Sequence, residues 1–577
     1  MKEYLLLFTI GPVQSFIGNS RKMRDLYAGS FLLSYLILHT SNVVVTSKSD
    51  IIINRLIPAI APDKAPSAPN RILLKVSFSD DQCVKGRSFI TGRLNELSHN
   101  MGLEVRSEFK NIYEAIFKKY NIVPEANVLA QLKDFPEVYW AYQEYSDKDD
   151  FEKITSKLQA VKSLRPFSQT AENPGRKCSL FPEYNAVFYK SQNGNKPNYI
   201  DPYAIEFTGG KNMFYALKPG EGLSALAFIK RMLYCIHDEK FKKYQYNTDI
   251  ISVAYMLLKD RFASDIKGKA LLKELCPEAA EAIFDLQNGF VLSEDEYEPK
   301  DISAAQELFA FMNGKKISPY YAIVKFDGDG MGDLYRICSD TQQEQLSKDI
   351  GKFAGLVPDI MKKYHGMCIY AGGEDFLGFL PTGQAIPAIM ELREQFQKTV
   401  HHPLDAEKKL TFSAGIVFAH LMPPLENVLA LTDEMEQMAK NNPSKDSFAI
   451  TVSKRSGTEV NVCGRFGEGC ETLKAICKIS ELIRSDILSV SSVYALLSVL
   501  DELTKNHKQL KEEMLKPLII SSICSQAYKK ENDEKNAEKI FALFKQYDCN
   551  IHKFIAALEI AAFLGKEEFS CITESML

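Results

Sequence analysis

The chain reads as an α+β protein: two ferredoxin-like βαββαβ domains, a mixed α/β intervening domain between them, and a helical C-terminal domain. Three observations predict this. A strand–helix–strand–strand–helix–strand rhythm occurs twice, acidic Gly-rich turns punctuate its second copy, and beyond Gly457 the apolar spacing is that of helices. At 577 residues the chain exceeds one hydrophobic core. The expected units are 1–110, 111–316, 317–457 and 458–577.

The second copy is the clearer. Tyr320 to Phe326 is rich in β-formers and runs into the turn Asp327-Gly328-Asp329-Gly330. Leu346, Ile350, Phe353, Leu356, Ile360 and Met361 recur at helical spacing and predict a helix over about 343–364. A short strand at 367–370 leads to the turn Gly372-Gly373-Glu374-Asp375, and 376–380 returns as a strand closed by Pro381. A helix near 385–400, a strand at 410–419, a helix at 425–440 and a last strand at 448–452 complete the unit. The first copy is looser, with a strand at 4–10, helices to about 38, strands at 50–53 and 71–78, and a long helix from about 81. It has no acidic turn. C-terminal helices are expected at 475–488, 493–513, 516–529 and 537–564, their charged faces solvated.

Composition narrows the function classes. Apolar residues make up 45% and charged residues 25%, the values of a folded soluble protein. A formal net charge of -4 argues against a wide grip on nucleic acid, so any RNA contact is local or made by partner chains. Lys2 and Glu3 lead straight into a strand-length apolar run, and no signal peptide is expected. The most apolar stretch, 31–45, is interrupted by Ser34, His39, Thr40, Ser41 and Asn42, which suits a buried helix followed by a strand and no membrane span. Twelve scattered cysteines without a CxxC pair predict reduced thiols in a cytoplasmic protein.

In a ferredoxin-like sheet the first and third strands are antiparallel neighbours about 5 Å apart. Asp327, at the end of one, should therefore meet Glu374 and Asp375, at the start of the other. Three carboxylates at one rim repel one another unless a cation joins them, and oxygen-only ligands suit Mg²⁺ or Mn²⁺. Such ions can activate a ribose 3′-hydroxyl and neutralise a departing pyrophosphate. Gly328, Gly330, Gly372 and Gly373, with Asp329 in the same turn, would let backbone approach a triphosphate. Each motif alone also reads as an ordinary turn. Their joint position at rims that must meet favours a site.

The run Tyr370-Ala-Gly-Gly-Glu-Asp-Phe-Leu-Gly-Phe-Leu-Pro381 resembles the GGDD hairpin of the large palm-domain subunit of type III CRISPR complexes, distant relatives of the GGDEF diguanylate cyclases. Gly11-Pro-Val-Gln-Ser-Phe-Ile17, with Arg21, Arg24-Asp25-Leu26 and Gly29-Ser30, is similar to that family's opening segment in the Cmr branch, type III-B. Pro69-Asn70-Arg71, Gly222-Leu223-Ser224-Ala225 with Lys230-Arg231, Ser413-Ala414-Gly415-Ile416, Ala439-Lys440 and Lys454-Arg455-Ser456-Gly457 continue the resemblance in order. It implies an antiviral subunit that works with other Cmr-type subunits, guide RNA and target RNA, and that polymerises ATP into a cyclic oligoadenylate messenger. Carried over, Asp327, Glu374 and Asp375 would hold the metals, and Ser413 and Lys440 would contact base or phosphate. The first palm has no carboxylate turn and is expected to bind the acceptor, through Gly11, Gln14, Ser15 and Asn70.

The chain departs from the family pattern in three places. Many relatives begin with an HD nuclease domain, whereas this chain opens at the first palm. Its one HD pair, His237-Asp238, lacks a partner histidine, so DNA cleavage is not expected. Where relatives carry a zinc knuckle, Arg176-Lys177-Cys178 retains one cysteine, which cannot make a tetrahedral site, and no zinc is expected. GGDD is here GGED, longer by one methylene, which should keep metal binding but can change the product. The leading variation is transfer of AMP to S-adenosylmethionine. A diguanylate-cyclase-like enzyme and an inactive scaffold subunit are the other readings.

Overall fold

The computed structural model describes residues 1–46, 51–57, 68–147, 149–164, 172, 174–208, 213–235, 247, 249–372, 374–443, 445–454, 459–467, 471–486, 488–506, 517, 521, 541 and 551–567. The architecture is α+β, with two larger sheets and one small one.

The strand β1 (Lys2–Gly11) is apolar on both faces because both are covered. Tyr4, Leu6, Phe8 and Ile10 face the main core with the helices Met23–Thr46 and Arg87–Lys119, while Leu5 and Leu7 meet Ile154 and Leu158 of the helix Asp150–Ser163. With β2 (Ile52–Ile57), β3 (Arg71–Phe78) and β4 (Glu137–Glu144) it forms a sheet of order β2-β3-β1-β4 in which every pairing is antiparallel. This is split βαβ topology, yet the fourth strand lies past residue 110, so the sheet runs beyond the boundary expected there. The apolar stretch 31–45 is one continuous helix through Thr46; no strand follows within it. That helix is long and apolar enough to cross a membrane, but most of its apolar window is buried inside the fold.

In the intervening region, β5 (Phe188–Tyr189), β6 (Ile205–Glu206) and β7 (Gly222–Leu223) make a small sheet among short helices. Cys178, the remnant of the expected zinc position, is buried, and its sulfur accepts from the N–H groups of Leu180 and Phe181 at 3.4 Å each. His237-Asp238 lies outside the described residues.

The second large sheet contains β8 (Tyr320–Gly328), β9 (Met367–Gly372), β10 (Asp375–Pro381), β11 (Phe412–His420), β12 (Ser447–Ser453) and β13 (Glu459–Arg465), in the order β13-β12-β11-β8-β10-β9. Its four central-to-edge strands β11-β8-β10-β9 repeat the topology of the first sheet. The helix Leu425–Lys440 crosses from β11 to its parallel neighbour β12. The helix before β9 begins at Asp340, earlier than the apolar spacing implies, because Ser339 and Gln342 form a reciprocal capping box. One element is a correction: beyond residue 457 the chain first adds the edge strand β13 and turns helical only at Glu471–Arg484. Val462 is the one fully buried apolar side chain of that short strand, so its periodicity is faint. Val490–Asn506 and Ile551–Lys566 follow as helices. The helix expected at 516–529 lies outside the described residues, save 517 and 521.

A buried pair of cations joins the first sheet's helices to the intervening region. Lys230 donates to the carbonyls of Phe16 (2.5 Å), Ile17 (3.1 Å) and Asn19 (2.9 Å) and to Ser20 Oγ (2.8 Å), and burial pushes its ammonium down to about 7. Arg231, 2% exposed, clamps Asp25 (2.7 Å) and Glu221 (2.8 Å). Removing one partner of a buried ionic cluster strands the others. Arg231→Met should therefore lower stability by about 3 kcal/mol, read as a shift in the urea unfolding midpoint. An unchanged midpoint would contradict the clamp's structural role.

Candidate functional site

Register sets the site. Phe376 of β10 pairs with Phe326 of β8, so the next residues along, Asp375 and Asp327, reach the same rim. The ring of Phe326 stacks between those of Phe376 (4.7 Å) and Phe412 (4.0 Å), which ties the ends of β8, β10 and β11 together. Gly328 permits close approach: a Cβ there would lie 2.9 Å from Glu374 Cβ. Gly330, at φ +68°, turns the chain into the helix Met331–Ile337.

The rim forms part of a cleft of about 870 Å³ between the two large sheets. The second sheet lends Asp327, Gly328, Asp329, Gly330, Gly372, Glu374, Asp375 and Lys440; the first lends Asn70 and Arg71. Asp327 and Asp375 oppose each other across the ladder of β8 and β10, and Lys440 Nζ contacts Asp327 Oδ2. Burial opposes ionisation of Asp327, but the neighbouring Asp375 carboxyl and the Lys440 ammonium hold its carboxyl below the usual range. Asp375 carries the opposite shift. Burial at the rim, the Asp327 carboxylate beside it and the charge of Glu374 push it up to about 9. Its side chain also opens to the cleft, where solvent screens part of that effect. Glu374 is raised by burial and then by the charge of Asp327. The pair Asp327–Asp375 thus shares a proton near neutral pH.

Two residues expected at ligand contacts, Ser413 and Asp329, are bonded to each other. Ser413 is fully buried and donates to Asp329 Oδ1 (2.7 Å), while Asp329 Oδ2 accepts from Thr411 Oγ1 (2.7 Å) and the N–H of Asp446 (2.9 Å). The second aspartate of DGDG therefore latches its own turn to β11 and to the loop before β12, and Ser413 is spent on it. Of the four residues expected at the acceptor, Asn70 lines the cleft. Gly11 pairs with Glu137 of β4, and Gln14 and Ser15 are exposed on the helix Gln14–Gly18; none of these three lines the cleft. Gly373 lies outside the described residues. Arg71, Tyr335, Arg336 and Lys445 line the cleft and were not singled out. Only Arg71 had a signal, as the last residue of Pro69-Asn70-Arg71. The others depend on the fold.

The three-carboxylate cluster expected from the two turns is only partly drawn together. Among the described residues, no three carboxylate, imidazole or thiolate groups stand close enough to hold a metal ion. Asp327 and Asp375 form a close pair, whereas Glu374 shares its field with Arg71 and Tyr335. The donor set is nonetheless all oxygen, which suits a hard divalent cation. The shared proton and the Lys440 contact are what such a charge would displace.

Residues 5–116 match the family described as CRISPR-associated protein Cmr2, N-terminal, and residues 320–449 match Cas10/Cmr2, second palm domain. Both segments are thus similar to proteins of the Cas10/Cmr2 family. The CRISPR system Cmr subunit Cmr2 of Pyrococcus furiosus is 23% identical over 553 residues, which cover 79% of this chain and 62% of that protein. The chain thus spans less than two thirds of that Cmr2 relative. Two type III-B Cmr-beta assemblies share the fold. The one bound to cognate target RNA gives a TM-score of 0.62 at 14% identity, over 98% of this chain and 83% of that one. The apo state gives 0.60 at 14% identity, over 92% and 78%.

The shared proton makes a pH-dependent prediction. A carboxyl whose folded pKa lies above its unfolded value of about 3.9 lends stability that is complete below that value. The contribution is lost as pH rises through the folded pKa of about 9. Asp375→Asn is neutral at every pH. In chelator, its melting temperature should exceed the wild type's by a margin that widens between about pH 5 and about pH 9. A flat margin across that range would refute the shared proton.

Proposed function

We propose that the chain is the nucleotide-joining subunit of a type III-B CRISPR RNA-guided complex, using ATP and Mg²⁺ or Mn²⁺ to make a cyclic oligoadenylate messenger when target RNA is bound. The observation that carries this reading is the pairing of two carboxyl groups, Asp327 and Asp375, at the rim of a cleft faced by both large sheets. A coordinated charge is the ordinary remedy for such a pair.

In this reading Asp327, Asp375 and Glu374 would hold the divalent ions, whose charge would favour the attacking 3′-hydroxyl and the departing pyrophosphate. Lys440 meets the donor triphosphate as a point charge. Asn70 and Arg71, across the cleft, orient the acceptor. Asp329 acts one step back, keeping the turn that carries Asp327 fixed to β11. Other Cmr-type subunits, guide RNA and target RNA are the proposed partners; a related assembly is described as bound to cognate target RNA. The formal net charge of -4 supports a chain that leaves most of the RNA to its partners.

Asp327→Ala, or Glu374→Ala with Asp375→Ala, should cut nucleotide joining by about 100-fold or more while assembly and RNA binding persist. Labelled ATP, Mg²⁺ or Mn²⁺, guide complex and target RNA make the assay, and adding S-adenosylmethionine shows whether it serves as acceptor. Product at near wild-type rate in either variant would sink the site assignment. The purified chain by itself should bind RNA weakly. Tight, salt-resistant binding would contradict the proposed division of labour, because phosphate contacts weaken steeply with salt.

A further inference from the structure

Behind the acidic rim, charged groups of alternating sign run through the second sheet and its helix. Lys325 of β8 donates to Asp433 (2.6 Å) and pairs with Glu436 (2.8 Å). Glu436 lies on the helix Leu425–Lys440, is 4% exposed, and takes Lys440 Nζ at 2.8 Å one turn further on. Lys440 Nζ in turn contacts Asp327. A carboxylate this deep is tolerated only as a paired group, and Glu436 has an ammonium on each side.

The helix sits at the depth this chain of charges requires because of Gly415 in β11. A Cβ there would lie 2.5 Å from the backbone nitrogen of Glu436 and 2.8 Å from the carbonyl oxygen of Thr432. Helix backbone therefore rests directly on the strand, with no side chain between, and the face bearing Glu436 and Lys440 looks toward the end of β8. Of these groups, Lys440 lines the cleft and Glu436 does not. Without Glu436, Asp327 would be the remaining carboxylate for Lys440, and the two would settle into a fixed ion pair. With it, Lys440 keeps a carboxylate when Asp327 is taken by another cation.

We propose that Glu436 is a positioning residue: the buried carboxylate between Lys325 and Lys440 holds the Lys440 ammonium at the cleft floor, free to leave Asp327 and grip the triphosphate of the donor nucleotide. The inference rests on the nucleotide-joining reading and names what sets that site's hold on phosphate.

The test is steady-state joining by the assembled complex with target RNA, ATP and Mg²⁺, alongside thermal melting. Glu436→Gln should raise KM for ATP about 10-fold, with kcat within about twofold. Lys440→Met should do the same, and the double variant should be no worse than Lys440→Met alone, because the two residues act as one unit. Gly415→Ala keeps every charge but lifts the helix; it should raise KM as well, and it serves as the probe if Glu436→Gln does not fold. A lowered melting temperature with unchanged KM in Glu436→Gln would mean that Glu436 only anchors the helix, which overturns the proposal. Effects of Glu436→Gln and Lys440→Met that multiply in the double variant overturn it too. A wild-type complex that joins no ATP removes the functional reading and this inference with it. An active wild type with an indifferent Glu436→Gln removes this inference alone.

Discussion

Antiparallel pairing of β8 with β10 presses two carboxyl groups against each other, and much of the second palm can be understood as the means of tolerating that contact. Asp327 and Asp375 cannot both ionise in a half-buried rim, so they share a proton and Asp327 draws Lys440. Lys440 is itself set by Glu436, and Glu436 by Lys325. The charge that the rim cannot neutralise internally is thus balanced by a line of groups reaching back through the sheet. Mechanical support runs beside it. The stacked rings of Phe326, Phe376 and Phe412 and the latch from Asp329 to Thr411, Ser413 and Asp446 leave the turn little freedom to relax the repulsion by moving apart. A site strained in this way is poised for a cation, which is the physical basis of the proposed chemistry.

The two large sheets share a topology but divide the work unequally. The first has the same strand order and offers the cleft Asn70 and Arg71, with no carboxylate pair of its own. Its stability comes from being covered on both faces and from Lys230 and Arg231, which pin the segment after β1 to the intervening region. That segment carries much of the likeness to the Cmr branch, and its conformation is dictated by an uncommon arrangement: a lysine solvated by three backbone carbonyls instead of water. The family matches cover most of each large sheet but leave out β4 and β13, and residues 117–319 fall between them. Fold similarity extends further than sequence similarity, across 98% of the chain at 14% identity, as expected when packing tolerates substitution but topology does not.

Much of this was legible in the linear chain. Strand and helix types follow from residue periodicity, and the helix Leu425–Lys440 can be read to the residue because Pro424 opens it and its apolar positions keep one period throughout. The meeting of Asp327 with Asp375 also follows from sequence, since strand order in a split βαβ unit brings those two turns together. What the sequence could not decide was where each polar side chain spends its hydrogen bonds. Asp327 and Asp329 are identical in type, two residues apart and both at the cleft, yet Asp327 meets Lys440 while Asp329 bonds to Ser413 of β11. Ser413 looked like a ligand contact and is consumed by that bond. Gln14 and Ser15 lie one helical turn from the end of β1, but the helix carries them away from the cleft, while Tyr335 and Arg336 are brought in on a helix with no motif of its own. The strand β13 was hidden for a related reason: an edge strand buries little, so it writes a weak pattern. Local composition and spacing determine which elements form and which turns must meet. The direction of a side chain, and whether its charge is already answered, depend on neighbours distant in sequence, and only the packed structure supplies those.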